Sequence, residues 1–302
     1  MENKKEKEEV RFNNWTDGHF MANVFKILLE DKREGITSFS SLNKIKREYR
    51  GEKVGHAGTL DKFASGLMIC MVGGATKLNP IFSSFSKRYI ATIAFGCETD
   101  TLDPEGEIVA TAEAPSYEEL ERSVSSFIGK QMQVPPVYSA LHIDGKRAYQ
   151  EARKGNIVEM PSREIEVYSI SLISYENGVA VVDCHVSKGT YIRALARDIA
   201  LKCSSRAHLT ALRRVSIGPW SLDDITKDTK TLLDMTGLLS TVVLSDKRRK
   251  FIDNGNIDKR DFVSDSDCAK QFAYLYFSDG LYGICEKGEK IKILSRIEDG
   301  IL

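Results

Sequence analysis

Gly55–Gly66 reads GHAGTLDKFASG and sets one carboxylate, Asp61, among three glycines and two alanines. Small side chains on either side of an acid let a ligand or another backbone come close to it. So many turn formers predict an irregular loop, and taken alone Asp61 fits an Asx turn or a helix N-cap. Ser65, His56 and Asp61 are the residue types of a nucleophilic triad. Such triads are assembled from distant chain positions, however, and no nucleophile elbow is present. The nearby GGATK, Gly73–Lys77, lacks the spacing of a phosphate-binding P-loop.

Outward from this loop, strand and helix patterns mix from Val24 to Leu239 without a linker. YIATIAF (Tyr89–Phe95) and VAVVDCHV (Val179–Val186) read as strands. From Thr190 to Cys203, Ile192, Leu195, Ala196 and Ile199 recur at helical spacing. The other face of that helix carries Arg193 and Arg197, which cannot pair with each other and want an anionic partner. Pro115 opens a second helix running to Ile128, with Glu118 and Glu119 in its first turns, where the helix dipole favours acids. After Leu239 the composition shifts. Asp246–Arg260 is charge-dense with an Asn254-Gly255 turn, and Phe272–Phe277 and Tyr282–Cys285 read as strands joined by Ser278-Asp279-Gly280. The chain therefore divides into a solvated, disordered tail (1–10), a larger mixed domain (11–242) and a small all-β domain (243–302). The last is near the lower size limit for an independent core and is expected to lean on the larger one.

The 302 residues are 42% hydrophobic and 28% charged, which is globular composition and excludes disorder and fibre. Lys plus Arg equal Asp plus Glu at 43 each, so the chain does not hold nucleic acid simply by being basic throughout. Resolved by segment, Lys188–Arg214 holds seven Lys or Arg and one acid, Lys44–Lys53 holds five bases and two acids, and Glu98–Glu121 holds nine acids and no base. Cysteines at 70, 97, 184, 203, 268 and 285 show no C-x-x-C and no metal spacing, so a reduced cytoplasmic protein without a metal site is expected. MENKKEKEEV at the N-terminus has no apolar signal core, and the longest apolar run, Leu67–Val72, is too short to cross a bilayer. Neither export nor membrane insertion is expected.

GHAGTLDKFASG closely resembles the catalytic motif of the tRNA pseudouridine synthase B (TruB) family. The resemblance continues in order through KRYIATIAFGCETDTLDPEG (Lys87–Gly106), QMQVPPVYSALHIDGKRAYQEARKG (Gln131–Gly155), SKGTYIRALARDIA (Ser187–Ala200) and AHLTALRRVSIG (Ala207–Gly218). It implies an α+β pseudouridine synthase fold: a mixed, largely antiparallel central sheet with flanking helices and a cleft across it. The C-terminal segment resembles, more loosely, a PUA-type RNA-binding domain.

The implied activity is isomerisation of uridine-55 in the T loop of tRNA to pseudouridine. The C1′–N1 bond breaks, the base turns, and C1′ joins C5. Nothing is added or removed, so no cofactor is implied. The chemistry needs a carboxylate against the ribose, a dry pocket and extrusion of a stacked base. Asp61 matches the catalytic aspartate, with attack on the sugar, attack on the base and removal of a sugar proton all open. Arg193, in the G-T-Y-I-R motif, matches the cation that keeps it ionised. Tyr89 matches the tyrosine that stacks on the flipped base and is a candidate for taking the C5 proton. Tyr191 and Leu212 match residues lining the uridine pocket. His56 matches the histidine that fills the space the nucleotide vacates.

Two positions depart from the family pattern. Lys62 stands where proline commonly follows the aspartate, and Arg33 replaces proline in the K-P-x-G-x-T-S-like stretch Asp31–Ser38, so the chain direction there must be held otherwise. Lys62 is expected to add a cation near the substrate phosphates, and Lys188 is expected to bind substrate. The basic stripe is expected to meet the tRNA T stem-loop and the acidic stretch to face away from it. No obligatory protein partner is implied, and a monomer is expected. The rival readings are a guide-RNA-dependent dyskerin-type synthase and a non-catalytic tRNA-folding chaperone.

Overall fold

The apolar run at 67–72 forms the interior of strand β3 (Ser65–Gly73). Side chains alternate faces along a strand. Here both faces are covered, Met68, Cys70 and Val72 joining one core and Leu67, Ile69 and Met71 another. A strand buried on both sides reads as an unbroken apolar run. The computed structural model describes residues 24–139 and 160–296 and the backbone of 142–143 and 146–147. The tail at 1–10 and part of the Gln131–Gly155 block lie outside the described residues.

The main sheet follows the order β1 (Phe25–Lys32), β3, β12 (Ala207–Ile217), β4 (Lys87–Phe95), β11 (Val179–Val186), β10 (Arg163–Glu176) and β7 (Gly129–Gln133). Strands β2 (Val54–Ala57) and β13 (Trp220–Ser221) pair with β3 and β12. Two hairpins, β5 (Cys97–Thr99) with β6 (Ile108–Thr111) and β8 (His142–Ile143) with β9 (Lys146–Arg147), stand apart. The sheet is antiparallel except where β3 meets β12, with Ser65 opposite Arg213 and Gly66 opposite Arg214. That contact depends on glycine. Gly66 has φ +108°, and a Cβ there would lie 2.2 Å from the Arg214 carbonyl oxygen. Gly66→Ala is expected to cost about 3 kcal/mol or more in urea unfolding, from backbone strain and overlap together. A loss below about 1 kcal/mol, the size of an ordinary point mutation, would contradict this account of the junction.

Helices Tyr117–Ser125 and Ile192–Lys202 cover one face through Leu120, Val124, Ile192, Leu195 and Ile199. The first is shorter than the predicted Pro115–Ile128. A capping box sets its start, Ser116 Oγ accepting from Glu119 N and the Glu119 carboxylate accepting from Ser116 N. The second lacks a side-chain cap of its own, and Gln133 grips its N-cap residue Tyr191 instead. Tyr191 N donates to Gln133 Oε1 at 2.9 Å, and Gln133 Nε2 donates to Tyr191 O at 3.1 Å.

Helices Asn79–Ser84 and Thr229–Met235 cover the other face together with a second sheet, ordered β15 (Phe262–Asp265), β14 (Leu239–Leu244), β16 (Phe272–Phe277), β17 (Gly280–Glu286) and β18 (Lys292–Arg296). The first strand of this sheet in chain order begins at Leu239. The second sheet packs against the main sheet: Phe272, Tyr274, Ile284 and Leu294 share a core with Phe25 and Ile27. Among the described residues, no helix is long and apolar enough to cross a membrane.

Candidate active site

Only part of Gly55–Gly66 is irregular. Gly55 and His56 lie in β2, paired with Met71 and Cys70, and Ser65 and Gly66 open β3, leaving 58–64 as the loop. The Asp61 side chain makes no local cap and turns to Arg193 instead. Three groups fix the loop where proline is missing. Ser38 Oγ donates to Leu60 O at 2.9 Å and accepts from Leu60 N at 2.8 Å. Gly35 N donates to Lys62 O at 2.9 Å. The buried Lys32 ammonium donates to the carbonyls of Arg33, Lys62 and Ala64. Both residues that replace proline thus offer their carbonyls to one lysine.

Arg193 is the hub, its side chain only 5% exposed. Nη2 donates to Asp61 Oδ1 at 3.2 Å and to Tyr138 O at 2.9 Å. Nε lies 2.9 Å from Asp61 Oδ2 as an ion-pair contact, without the alignment of a hydrogen bond. Nη1 donates to Thr101 O at 2.8 Å and to Asp103 Oδ2 at 3.0 Å. Asp103 is itself fixed, Oδ1 accepting from Thr101 Oγ1 at 2.6 Å and Glu105 N at 3.0 Å. Between Thr101 and Asp103, the buried Leu102 holds φ 60°, a left-handed backbone that costs a leucine of order 1–3 kcal/mol. Burial pushes the Asp61 carboxyl above its ordinary range, Arg193 opposes the shift, and Asp103 and Glu105 add to it. The acidic stretch therefore does not all face away: Asp103 and Glu105 line the cavity, Asp103 drawn inward by the buried Arg193 guanidinium and Glu105 paired with the exposed Lys62.

Asp61 and Arg193 open onto a cavity of about 530 Å³, whose walls include Tyr89, Tyr191 and Leu212, with Lys62 among the lining residues. Tyr89 is buried on β4. Burial raises its hydroxyl pKa, and the nearby Arg214 guanidinium opposes that shift. Lys62 is exposed and pairs with Glu105 at 3.4 Å. His56 and Lys188 are not part of the wall: His56 sits on β2 with Nδ1 buried and unpartnered, and Lys188 is exposed beside Gly189. Burial first, then Arg214 and Lys46, depress the His56 pKa.

Of the seven bases at 188–214, two are buried and two more are paired with acids, while Lys188 and Lys202 are exposed. Arg193 and Arg214 are buried, Arg213 pairs with Asp31 at 2.8 Å and Arg197 with Asp198 at 2.8 Å. Arg214, 1% exposed, donates from Nε to Leu67 O at 2.7 Å and from Nη2 to Gly58 O at 2.9 Å. A Cβ on Gly58 would lie 3.3 Å from Arg214 Nη1. The glycines flanking Asp61 therefore admit Arg214.

Sequence reasoning missed Lys32, Lys87, Asp103, Gln133 and Arg214 as site residues. Lys87 could have been found, since it shares strand parity with the inward Tyr89, Ala91, Ile93 and Phe95. Among the described residues, no three His, Cys, Asp or Glu side chains are grouped to hold a metal ion.

Residues 46–192 match a family model described as TruB family pseudouridylate synthase (N terminal domain). The tRNA pseudouridine synthase B of Borreliella burgdorferi (strain ZS7) is 41% identical over 241 residues, covering 79% of this chain and 84% of the relative. That of Bordetella avium (strain 197N) is 46% identical over 201 residues, covering 65% of this chain and 82% of the relative. Among solved structures, a chain from the crystal structure of a Cbf5-Nop10-Gar1 complex matches with TM-score 0.61 at 19% identity, over 96% of this chain and 92% of that one. A chain from the structure of an H/ACA RNP bound to a substrate RNA containing 2′-deoxyuridine matches with TM-score 0.60 at 18% identity, over 92% and 85%. These two are likenesses of fold.

Proposed function

The chain belongs to the TruB family of pseudouridylate synthases, and from that membership we propose that it isomerises uridine-55 in the T loop of tRNA, using Asp61 on an extruded base and no cofactor. The observation that carries this reading is the two-point contact between Arg193 and Asp61 on a cavity of about 530 Å³. That volume lies within the range of small-ligand pockets.

Asp61 acts on the ribose or the base while the C1′–N1 bond breaks. The base turns in place, C5 bonds to C1′, and the C5 proton leaves last. Attack on C1′, attack on the base and removal of a sugar proton all call on the same carboxylate. Arg193 holds that carboxylate in position and opposes the protonation that burial favours. Tyr89 stacks on the base, and its hydroxyl relays the C5 proton, accepting it while passing its own phenolic proton on to solvent. Leu212 and Tyr191 keep water from the detached base. His56 fills the space the nucleotide leaves in the T loop, while Lys62 and Lys188 meet phosphates. Residues 11–242 form the catalytic domain and 243–302 a PUA-like RNA-binding module. The protein works as a cytoplasmic monomer without an obligatory partner.

The fold shared with the Cbf5-Nop10-Gar1 chain keeps a guide-RNA-dependent synthase as the second reading. The purified chain is expected to convert an unmodified tRNA transcript with no guide RNA or other protein, giving pseudouridine at position 55 alone. Product only with a guide complex would favour the second reading, and binding without product a folding chaperone.

A further inference from the structure

The cavity is lined by charges of both signs. Asp61, Asp103 and Glu105 line it together with Arg193 and Lys62. Lys87 and Arg214 line it too, buried at 6% and 1% exposure, and neither has a carboxylate within salt-bridge distance among the described residues. Buried cations are ordinarily paired, because taking a charge out of water is costly unless an anion meets it. Arg214 has spent two of its nitrogens on the carbonyls of Leu67 and Gly58. Lys87 Nζ donates to the carbonyls of Ser83, at 2.7 Å, and Phe85. An ammonium has three donors, so one is left.

Resting on the proposed reaction, we propose that Lys87 seats a backbone phosphate of the extruded nucleotide, with Arg214 fixing the Gly58 wall beside it. A nucleotide carries its negative charge on phosphate, which the acids around Asp61 repel. With the ribose at Asp61, the phosphate therefore belongs at the cationic side of the cavity. A charge-assisted contact there satisfies the free donor and supplies the missing counter-ion. Burial first, then Arg214 and Lys188, bring the Lys87 pKa down to about 8, as expected of an ammonium whose neighbours are also cations. The plainer role for Lys87 is to cap the C-terminal carbonyls of helix Asn79–Ser84, and the two roles separate experimentally.

The test measures T stem-loop RNA binding by full-length protein carrying Asp61→Asn, so that no turnover intrudes. One RNA has natural phosphates, and the other has uncharged methylphosphonates flanking the target uridine. Lys87→Met is expected to weaken binding of the natural RNA about tenfold and to leave binding of the methylphosphonate RNA unchanged. Lys87→Arg is expected to restore most of the loss. Unchanged binding of the methylphosphonate RNA also reports an intact fold. Equal losses on both RNAs, as a cap alone would give, or no loss on the natural RNA would overturn the proposal. Pseudouridine formation by the unmutated chain is scored separately, so failure of the reaction reading is distinguishable from failure of the phosphate seat.

Discussion

Asp61→Asn is expected to reduce pseudouridine formation by at least roughly 10⁴-fold, as loss of a group that acts directly on the reacting atoms does, while tRNA binding stays within about threefold. The amide keeps the shape of the side chain and removes its charge. Arg193 still holds Asp103 and the carbonyls of Thr101 and Tyr138, so the wall of the cavity stays in place. Stability supplies a second readout. Burial, Asp103 and Glu105 raise the Asp61 pKa against the pull of Arg193, so the folded chain holds that proton more tightly than the unfolded chain does. Such a group costs nothing below the ordinary carboxylate range. Its cost grows as pH rises through the folded-state pKa and is complete above it. Asp61→Asn is therefore expected to melt at the same or a higher Tm than the parent at neutral pH, with the gap closing as pH falls below that range. Turnover near the parental rate would remove Asp61 from the mechanism, and a lower Tm at neutral pH would remove the account of its electrostatics.

The elements that locate the cavity were legible where one physical signal dominates. Val179–Val186 alternates and is buried at every second residue, and the double-faced burial of β3 explains its unbroken apolar run. The ordered motif blocks placed Asp61, Tyr89, Tyr191, Arg193 and Leu212 as candidates, and these residues line one cavity. Charge was misleading because composition does not say which side of a sheet a residue faces. Nine acids between Glu98 and Glu121 read as an outer surface, yet Asp103 is drawn in by a guanidinium 90 residues away. Likewise Arg214 reads as one more base in a stripe, and its burial follows from a two-residue parallel contact that needs a glycine from a distant strand. Long-range pairings of this kind leave no local periodicity. Lys62 and Arg33 in place of proline looked like a loss of loop rigidity, but the carbonyls of both residues accept from Lys32, a bond no sequence pattern announces.

Arg193→Met is expected to be the most damaging single substitution, removing turnover and costing about 3–5 kcal/mol in denaturant unfolding. The cost follows from what is left behind. Asp103, whose side chain is 8% exposed, and Asp61 would share a pocket with no cation between them, and the carbonyls of Thr101 and Tyr138 would lose their donors. Arg193→Lys keeps the charge but offers one nitrogen where the guanidinium uses three, so it should recover part of the stability and little of the turnover. The decisive comparison adds Asp103→Asn to Arg193→Met. Neutralising Asp103 removes the stranded buried charge, so the double variant is expected to regain at least half of the lost stability. Asp61 would still lack its cation, and burial would then favour its protonated form, so turnover should stay absent. Recovery of stability and activity together would mean that Arg193 serves the fold alone. Recovery of neither would mean that the Asp103 charge is not what makes its loss costly.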